Sequence, residues 1–419
     1  ILLGVGVLSL PFSFSVSGWL VGAGLLVLLS LTTNYTGKLI GRIMADGRGT
    51  IRSFPDIGAA AFGRTGQWVI SIVFFIELFS ACGMYLILCG DNLEALVAPL
   101  ANVTQTQLTL LAAGVMFPTA LTSNLSFLSY FSAIGLMSSC FLALAVVAIG
   151  ILNGPRNEGT FLAPAATQLV TDAERGPLAI GLVMVGFAGH ACFPSIRCSM
   201  AQPERFGRVL DWSYAACFTV YMSVAALGYL MYGNATQKEI TLNIMGDAGA
   251  SSAVKKIAVV ATVLIVVNPI TKFGLTMNPI ALMVEEWTLG DVGGGGGHGH
   301  GHGGGGGGGD GGQDKLLLDG DDDGASDATT WGHFFCPKFI RIGRTAACGA
   351  VAVSLPFFAR VVGFIGAFCS CFVSIVFPLA AAMRLLNMGK CEYMICAVLL
   401  VFGCVCTVWG TVAVFVSPI

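Results

Sequence analysis

Apolar residues in this chain come in long runs that do not alternate and are broken by short polar turns. Eleven such segments stand near residues 1–18, 19–44, 67–98, 108–122, 127–152, 178–200, 207–232, 254–287, 343–360, 363–386 and 391–416. Their lengths bracket the ~20 residues that carry a helix across a bilayer. Barrel strands would alternate with a period of two, so each run is expected as a helix. The second run begins after the turn-like Ser17-Gly18. The 254–287 run would be roughly 50 Å long if fully helical, beyond the ~30 Å hydrocarbon core, so it must protrude or tilt. The chain opens in mid-run at Ile1, so a cytosolic tail and the start of the first span are expected to precede it.

Composition agrees with a bilayer as solvent. The 419 residues are 55% hydrophobic and 11% charged, where soluble domains carry about 25% charge. A soluble fold of this size has no interior large enough for so much apolar surface. The net charge of −2 implies no nucleic-acid partner. Most of the 14 cysteines sit inside apolar runs, as Cys369, Cys371, Cys396, Cys404 and Cys406 do, and read as small core or lipid-facing residues. No metal site or cofactor is expected.

Lys and Arg give the orientation. With a cytosolic N-terminus, fourteen fall on the inner side and six on the outer, with Lys272 left inside the membrane. The sequons Asn102-Val103-Thr104 and Asn234-Ala235-Thr236 then fall on the outer or lumenal side, where glycosylation is possible. Eleven spans put the C-terminus there too. Residues 291–330, between the eighth and ninth spans, hold a glycine tract, three alternating histidines from His298 to His302 and an acidic run at 319–323. That composition cannot form a core and is expected as a disordered cytosolic loop. The remainder reads as a single transporter domain, 1–419.

Two spans carry breakers near their middles. The first reads Gly4-Val5-Gly6-Val7-Leu8-Ser9-Leu10-Pro11 and the sixth Gly186-Phe187-Ala188-Gly189-His190-Ala191-Cys192-Phe193-Pro194-Ser195. Glycine weakens a helix and proline removes a donor. Unwound backbone at membrane depth is tolerated only where protein or a cavity satisfies it. A matched pair of interrupted spans points to a secondary transporter's binding site. Candidate substrate contacts are Gly4, Val5, Gly6, Val7 and Ser9 with Gly186, Phe187 and Gly189. Free amides at a half-helix N-terminus suit a carboxylate, and free carbonyls suit a cation. Ordinary glycine packing between helices is the alternative.

The first-span motif with Gly18-Trp19, and Asp56-Ile57-Gly58 with Ala60-Ala61-Phe62-Gly63, resemble the amino acid/auxin permease family. Gly189-His190-Ala191-Cys192-Phe193-Pro194-Ser195-Ile196, with Ser199-Met200 and Gln202-Pro203, resembles the sixth-span motif of its vacuolar neutral amino acid transporter branch. Asn268-Pro269-Ile270-Thr271-Lys272-Phe273 and Asn278-Pro279-Ile280-Ala281 resemble its eighth span. The resemblance implies an all-α, LeuT-like fold of the APC superfamily: two inverted five-helix repeats plus one helix, about eleven spans, with spans one and six discontinuous. It also implies transport of small neutral amino acids, usually coupled to protons, often at the vacuolar membrane; the plasma membrane is the other possible site. The 291–330 loop departs from the family pattern.

Ionisable groups inside spans are costly and point to function. Glu77, in mid-span, is a candidate proton carrier or a structural acceptor. His190, at the sixth-span break, either relays protons or bonds freed carbonyls. Lys272, with Thr271 beside it, lies in the eighth span, which in such a fold faces the first. Its ammonium there would take the place of a sodium ion, unless it snorkels to an interface. Asp91 and Glu94 lie near the outer end of the third span and read as interfacial. Neither the paired residues of an intramembrane enzyme nor the phosphate loop of an ATP-driven pump is present in the sequence. The chain is therefore expected to be a transporter and not an enzyme. An amino acid sensor that binds substrate without accumulating it is the alternative.

Overall fold

The computed structural model describes residues 5–46, 51–98, 100–121, 125–153, 160–171, 176–247, 250–289, 343, 350 and 358–416. Among them every regular element is helical. A short 3-10 turn, Val5–Ser9, leads into α1, Leu10–Asp46. There follow α2 (Phe54–Val97), α3 (Gln105–Leu121), α4 (Leu125–Leu152), α5 (Leu178–Phe187), α6 (Phe193–Ser199), α7 (Phe206–Tyr232), α8 (Ile240–Gly246) and α9 (Ser252–Leu289). Next, α10 begins as Phe358–Phe364, passes through two π-helical stretches, Ile365–Ser370 and Phe372–Val376, and ends as Phe377–Leu385. Last, α11 is Lys390–Val416.

Eight helices are long and apolar enough to cross a membrane, counted among the described residues. The difference from eleven expected segments has three sources. From Leu10 on, the runs 1–18 and 19–44 form one helical element, α1, α3 is only 17 residues long, and 343–360 lies almost wholly outside the described residues. So do Gly4 and the 291–330 loop.

The join in α1 is a corner. Gly18 has φ +79°, a left-handed value that suits a residue without Cβ. In a straight helix Phe14 and Gly22 would stand about 12 Å apart. Here a Cβ on Gly22 would come within 2.9 Å of the Phe14 ring, so the chain doubles back. The amides of Trp19 and Leu20, just past the corner, bond to the carbonyls of Gln168 and Leu169. Gly63 makes a second corner, in α2. It separates a short capped helix from the span that follows. Ser53 caps that helix, and the Asp56 carboxylate accepts from the Arg52 and Ser53 amides.

The helices are apolar on every side, as lipid allows. On α11 the exposed positions include Val401, Val405, Val408 and Val412, a face suited to acyl chains and not to water. The interior packs α1 on α7 and α5, and α9 on α4 and α2. Glycines bring α5 against α10: a Cβ on Gly366 would run into the Gly181 backbone. Two polar pairs mark one end of the bundle. Lys38 of α1 meets Asp211 of α7 at 2.6 Å, and Arg42 of α1 pairs with Glu392 of α11. The opposite end carries Asn102 and Asn234, both exposed. There Asn92 of α2 is tied to Glu239, the residue before α8.

Candidate substrate site at the interrupted helix

Helix α5 is buried at every position but Val185, which is half-buried, and stops at Phe187. Ala188 is extended, with ψ 125°, and winding resumes through the 3-10 turn His190–Cys192. Pro194 then sits in the first turn of α6, where its missing N–H costs nothing. Interruption strands the last carbonyls of α5 inside the bundle. One of them, Gly186 O, accepts a hydrogen bond from Tyr221 Oη of α7 at 2.8 Å.

The Val5–Ser9 turn lies directly against this break. A Cβ on Gly6 would stand 2.9 Å from both Cα and N of Gly186, so the two backbones touch because neither residue has a side chain. Ser9 Oγ donates to Gly6 O at 3.1 Å. Gly6, Val7, Ser9, Gly186 and Phe187 are buried, and Gly189 is half-buried. Val5 belongs to the same turn. Phe187 faces aromatic neighbours, stacked on Tyr214 at 5.9 Å and edge-on to Tyr221 at 5.4 Å. A cavity of about 300 Å³ between α1 and α7 is lined by Ser30, Asn34, Asp211 and Tyr214, so it shares the Tyr214 wall with the break.

A polar seam leaves the break towards α10. His190 is fully buried, and its Nε2 lies 3.0 Å from both Thr33 O and Thr36 Oγ1. A carbonyl only accepts, so Nε2 carries the proton and Nδ1 is left as the acceptor. Nδ1 has no hydrogen-bond partner among the described residues. Thr36 Oγ1 in turn donates to Ser374 O at 2.6 Å. One turn back along α10, Ser370 Oγ donates to Glu77 Oε1 at 2.7 Å, while Glu77 Oε2 has no partner among the described residues. Glu77 and His190 are thus held from the two ends of one run of α10. The other two candidates sit elsewhere. Thr271 and Lys272 are buried where α9 meets α4, close to Gly135, and Asn268 beside them donates to Gly135 O and Ser139 Oγ, both at 2.7 Å. The same α9 also touches the Val5–Ser9 turn.

The seam adds Thr33, Thr36, Tyr221, Ser370 and Ser374 to the residues expected from sequence. Thr32-Thr33-Asn34-Tyr35-Thr36, a polar cluster inside an apolar run, was the available signal for two of them. Ser370 and Ser374 share one helix face at a spacing of four, a weaker mark.

The family described as transmembrane amino acid transporter protein matches residues 2–416. The chain belongs to this family. Among its relatives, amino acid transporter AVT1B of Arabidopsis thaliana is 31% identical over 425 residues, covering 98% of this chain and 68% of that protein. Amino acid transporter AVT1C of the same plant is 39% identical over 295 residues, 68% of this chain and 50% of its own length. The vesicular inhibitory amino acid transporter of Rattus norvegicus is 25% identical over 257 residues, 59% of this chain and 48% of that protein. This transporter is therefore an integral membrane protein.

Proposed function

We propose that the chain is a secondary active transporter that moves small neutral amino acids across a vacuolar membrane, driven by protons. The observation that carries this reading is the break after Phe187, with the backbone of Gly6 packed on that of Gly186. The break and the 3-10 turn Val5–Ser9 offer carbonyls and amides at one place, which is what a zwitterionic substrate requires. The substrate carboxylate rests on amides around 4–7 and its amine on carbonyls around 186–189. The fold behind it is LeuT-like, with two inverted five-helix repeats and one further helix.

Proton coupling is supported by the seam. Glu77 and His190 each keep one buried atom without a partner among the described residues, Oε2 and Nδ1, and each is free to take a proton. Lys272, with Thr271, occupies the place where sodium would sit. The vacuolar location is supported by the sixth-span motif and by the vesicular name of the rat relative. Cytosolic N-terminus and lumenal C-terminus follow from the Lys and Arg distribution, with both exposed sequons at the opposite end.

Uptake into proteoliposomes tests the proposal. A neutral amino acid should accumulate under an imposed pH gradient with sodium absent. Strict sodium dependence would reject proton coupling. Binding without accumulation would make the chain a sensor.

A further inference from the structure

The end of the bundle that carries Asn102 and Asn234 holds a pair of carboxyl groups, one buried and one half-buried, with no part in the substrate site. Glu239, between α7 and α8, is fully buried. Its Oε2 accepts from Asn92 Nδ2 at 2.5 Å, and the same amide nitrogen donates to Leu88 O at 2.9 Å. Its Oε1 receives no hydrogen bond from any described N–H or hydroxyl. What lies within hydrogen-bonding reach is the Asp91 carboxyl, whose Oδ1 already accepts from Gln105 Nε2 at 2.5 Å.

Two ionised carboxylates do not share a buried contact. Other charges near the pair do not relieve it. Lys238 and Glu94 act on Asp91, and Lys238 forms no ion pair with either carboxyl among the described residues. The thiol of Cys89 feels Glu239 from the neighbouring turn of α2. Helices α3 and α8 and the Val5–Ser9 turn contain no ionisable side chain. At the start of α9, Lys255 and Lys256 are exposed, and Asp247 accepts from Asn153.

We infer that Asp91 and Glu239 form a proton-binding site, in which one shared proton latches α8 onto the end of α2. The latch has something to hold shut. Helix α8 packs on α2, α9 and the Val5–Ser9 turn, and Ile240, next to Glu239, lies with Pro11 around Gly228. Opening α8 therefore uncovers the Val5–Ser9 turn. The contact keeps a proton that the separated groups would already have released well below neutrality. Burial first, and then the Asp91 carboxyl, hold Glu239 well above the ordinary carboxylate range against the opposing Asn92 amide. Docking is then complete at acid pH. It weakens as pH rises from the ordinary carboxylate range through the raised one.

This inference goes beyond the transport reading, and its test involves no substrate. Hydrogen exchange of the peptide covering 236–246 is measured on the full chain in nanodiscs from pH 5 to pH 8. The result is expressed as a protection factor to remove the chemical pH dependence of exchange. Protection should fall by up to about tenfold per pH unit while the proton is lost. Glu239→Gln and Asp91→Asn each replace one carboxyl by an amide that brings its own donor. Whichever of them purifies as a monodisperse protein should stay protected across the range. Protection in the parent that does not change with pH would overturn the inference, as would unchanged pH dependence in both variants. Protection at pH 8 that needs a divalent cation and vanishes with a chelator would assign the pair to a metal ion instead.

Discussion

At Ala188 and Gly189 the α5–α6 segment stops being a helix, whereas from Ile365 to Val376 α10 stays wound but widens to π-helical turns. Both irregular stretches lie in the bundle interior, and they are joined through His190, Thr36 and Ser374. They handle backbone polarity differently. A break strands carbonyls that must find donors, and Tyr221 supplies one to Gly186. A π-helical stretch keeps its ladder: here the Ser370 hydroxyl donates to Glu77, and the Ser374 backbone carbonyl accepts from Thr36. The lesson is a division of labour. The break leaves backbone groups to be met from outside the helix, and the widened helix gives the polar seam one hydroxyl, from Ser370, and one carbonyl, from Ser374.

The strongest way to break the comparison is at the glycines. Gly366 of α10 meets the Gly181 backbone, a helix–helix contact with no room for a methyl group. Gly366→Val should therefore remove the folded protein from size-exclusion profiles. Gly6→Val puts its side chain into the Gly186 backbone at the mouth of the break, beside a short turn that can shift. That variant should insert and purify but show no uptake. Equal loss of folded protein in both would make the Gly6 contact structural packing and nothing more.

These two glycine contacts also show how far the sequence could be read. Gly186, Gly189 and Pro194 break an apolar run within nine residues, so the interruption was legible. The π-helical stretch was not. It lies where α10 packs on α5 and α2, and no local residue pattern marks it. For the same reason Glu77 and His190 were visible as ionisable residues in apolar runs, while their partners were hidden. Thr33, Thr36, Ser370 and Ser374 are distant in sequence and meet only through tertiary packing. The span boundaries of α4, α7 and α11 fell within a few residues of the apolar runs, because lipid leaves little else to set them. The corner at Gly18 was marked in sequence only as a turn. Its effect on the span count needed the structure.

Smaller effects sharpen the same contrast. His190→Gln removes the ring that meets Thr33 and Thr36, and should lower pH-driven uptake at least about tenfold if the seam carries the proton. Ser370→Ala leaves Glu77 Oε1 without its donor and should destabilise the protein by about 1–3 kcal/mol in thermal unfolding. Tyr221→Phe orphans Gly186 O and should cost a similar amount, but here substrate should protect more strongly, because the freed carbonyl becomes available to a bound amine. The smallest change is expected at the exposed Lys38–Asp211 pair, where Lys38→Ala should alter stability by less than about 1 kcal/mol.

The central claim is that the break between Phe187 and His190, faced by Gly6, is where an amino acid is bound and moved by a proton gradient. The most direct measurement is uptake of labelled neutral amino acids into sodium-free proteoliposomes carrying a pH gradient, for the parent chain and Gly6→Val side by side. The account predicts accumulation in the parent that collapses with a proton ionophore, and none in the variant. Accumulation by Gly6→Val at the parent's rate, or uptake in the parent only when sodium is supplied, would contradict it.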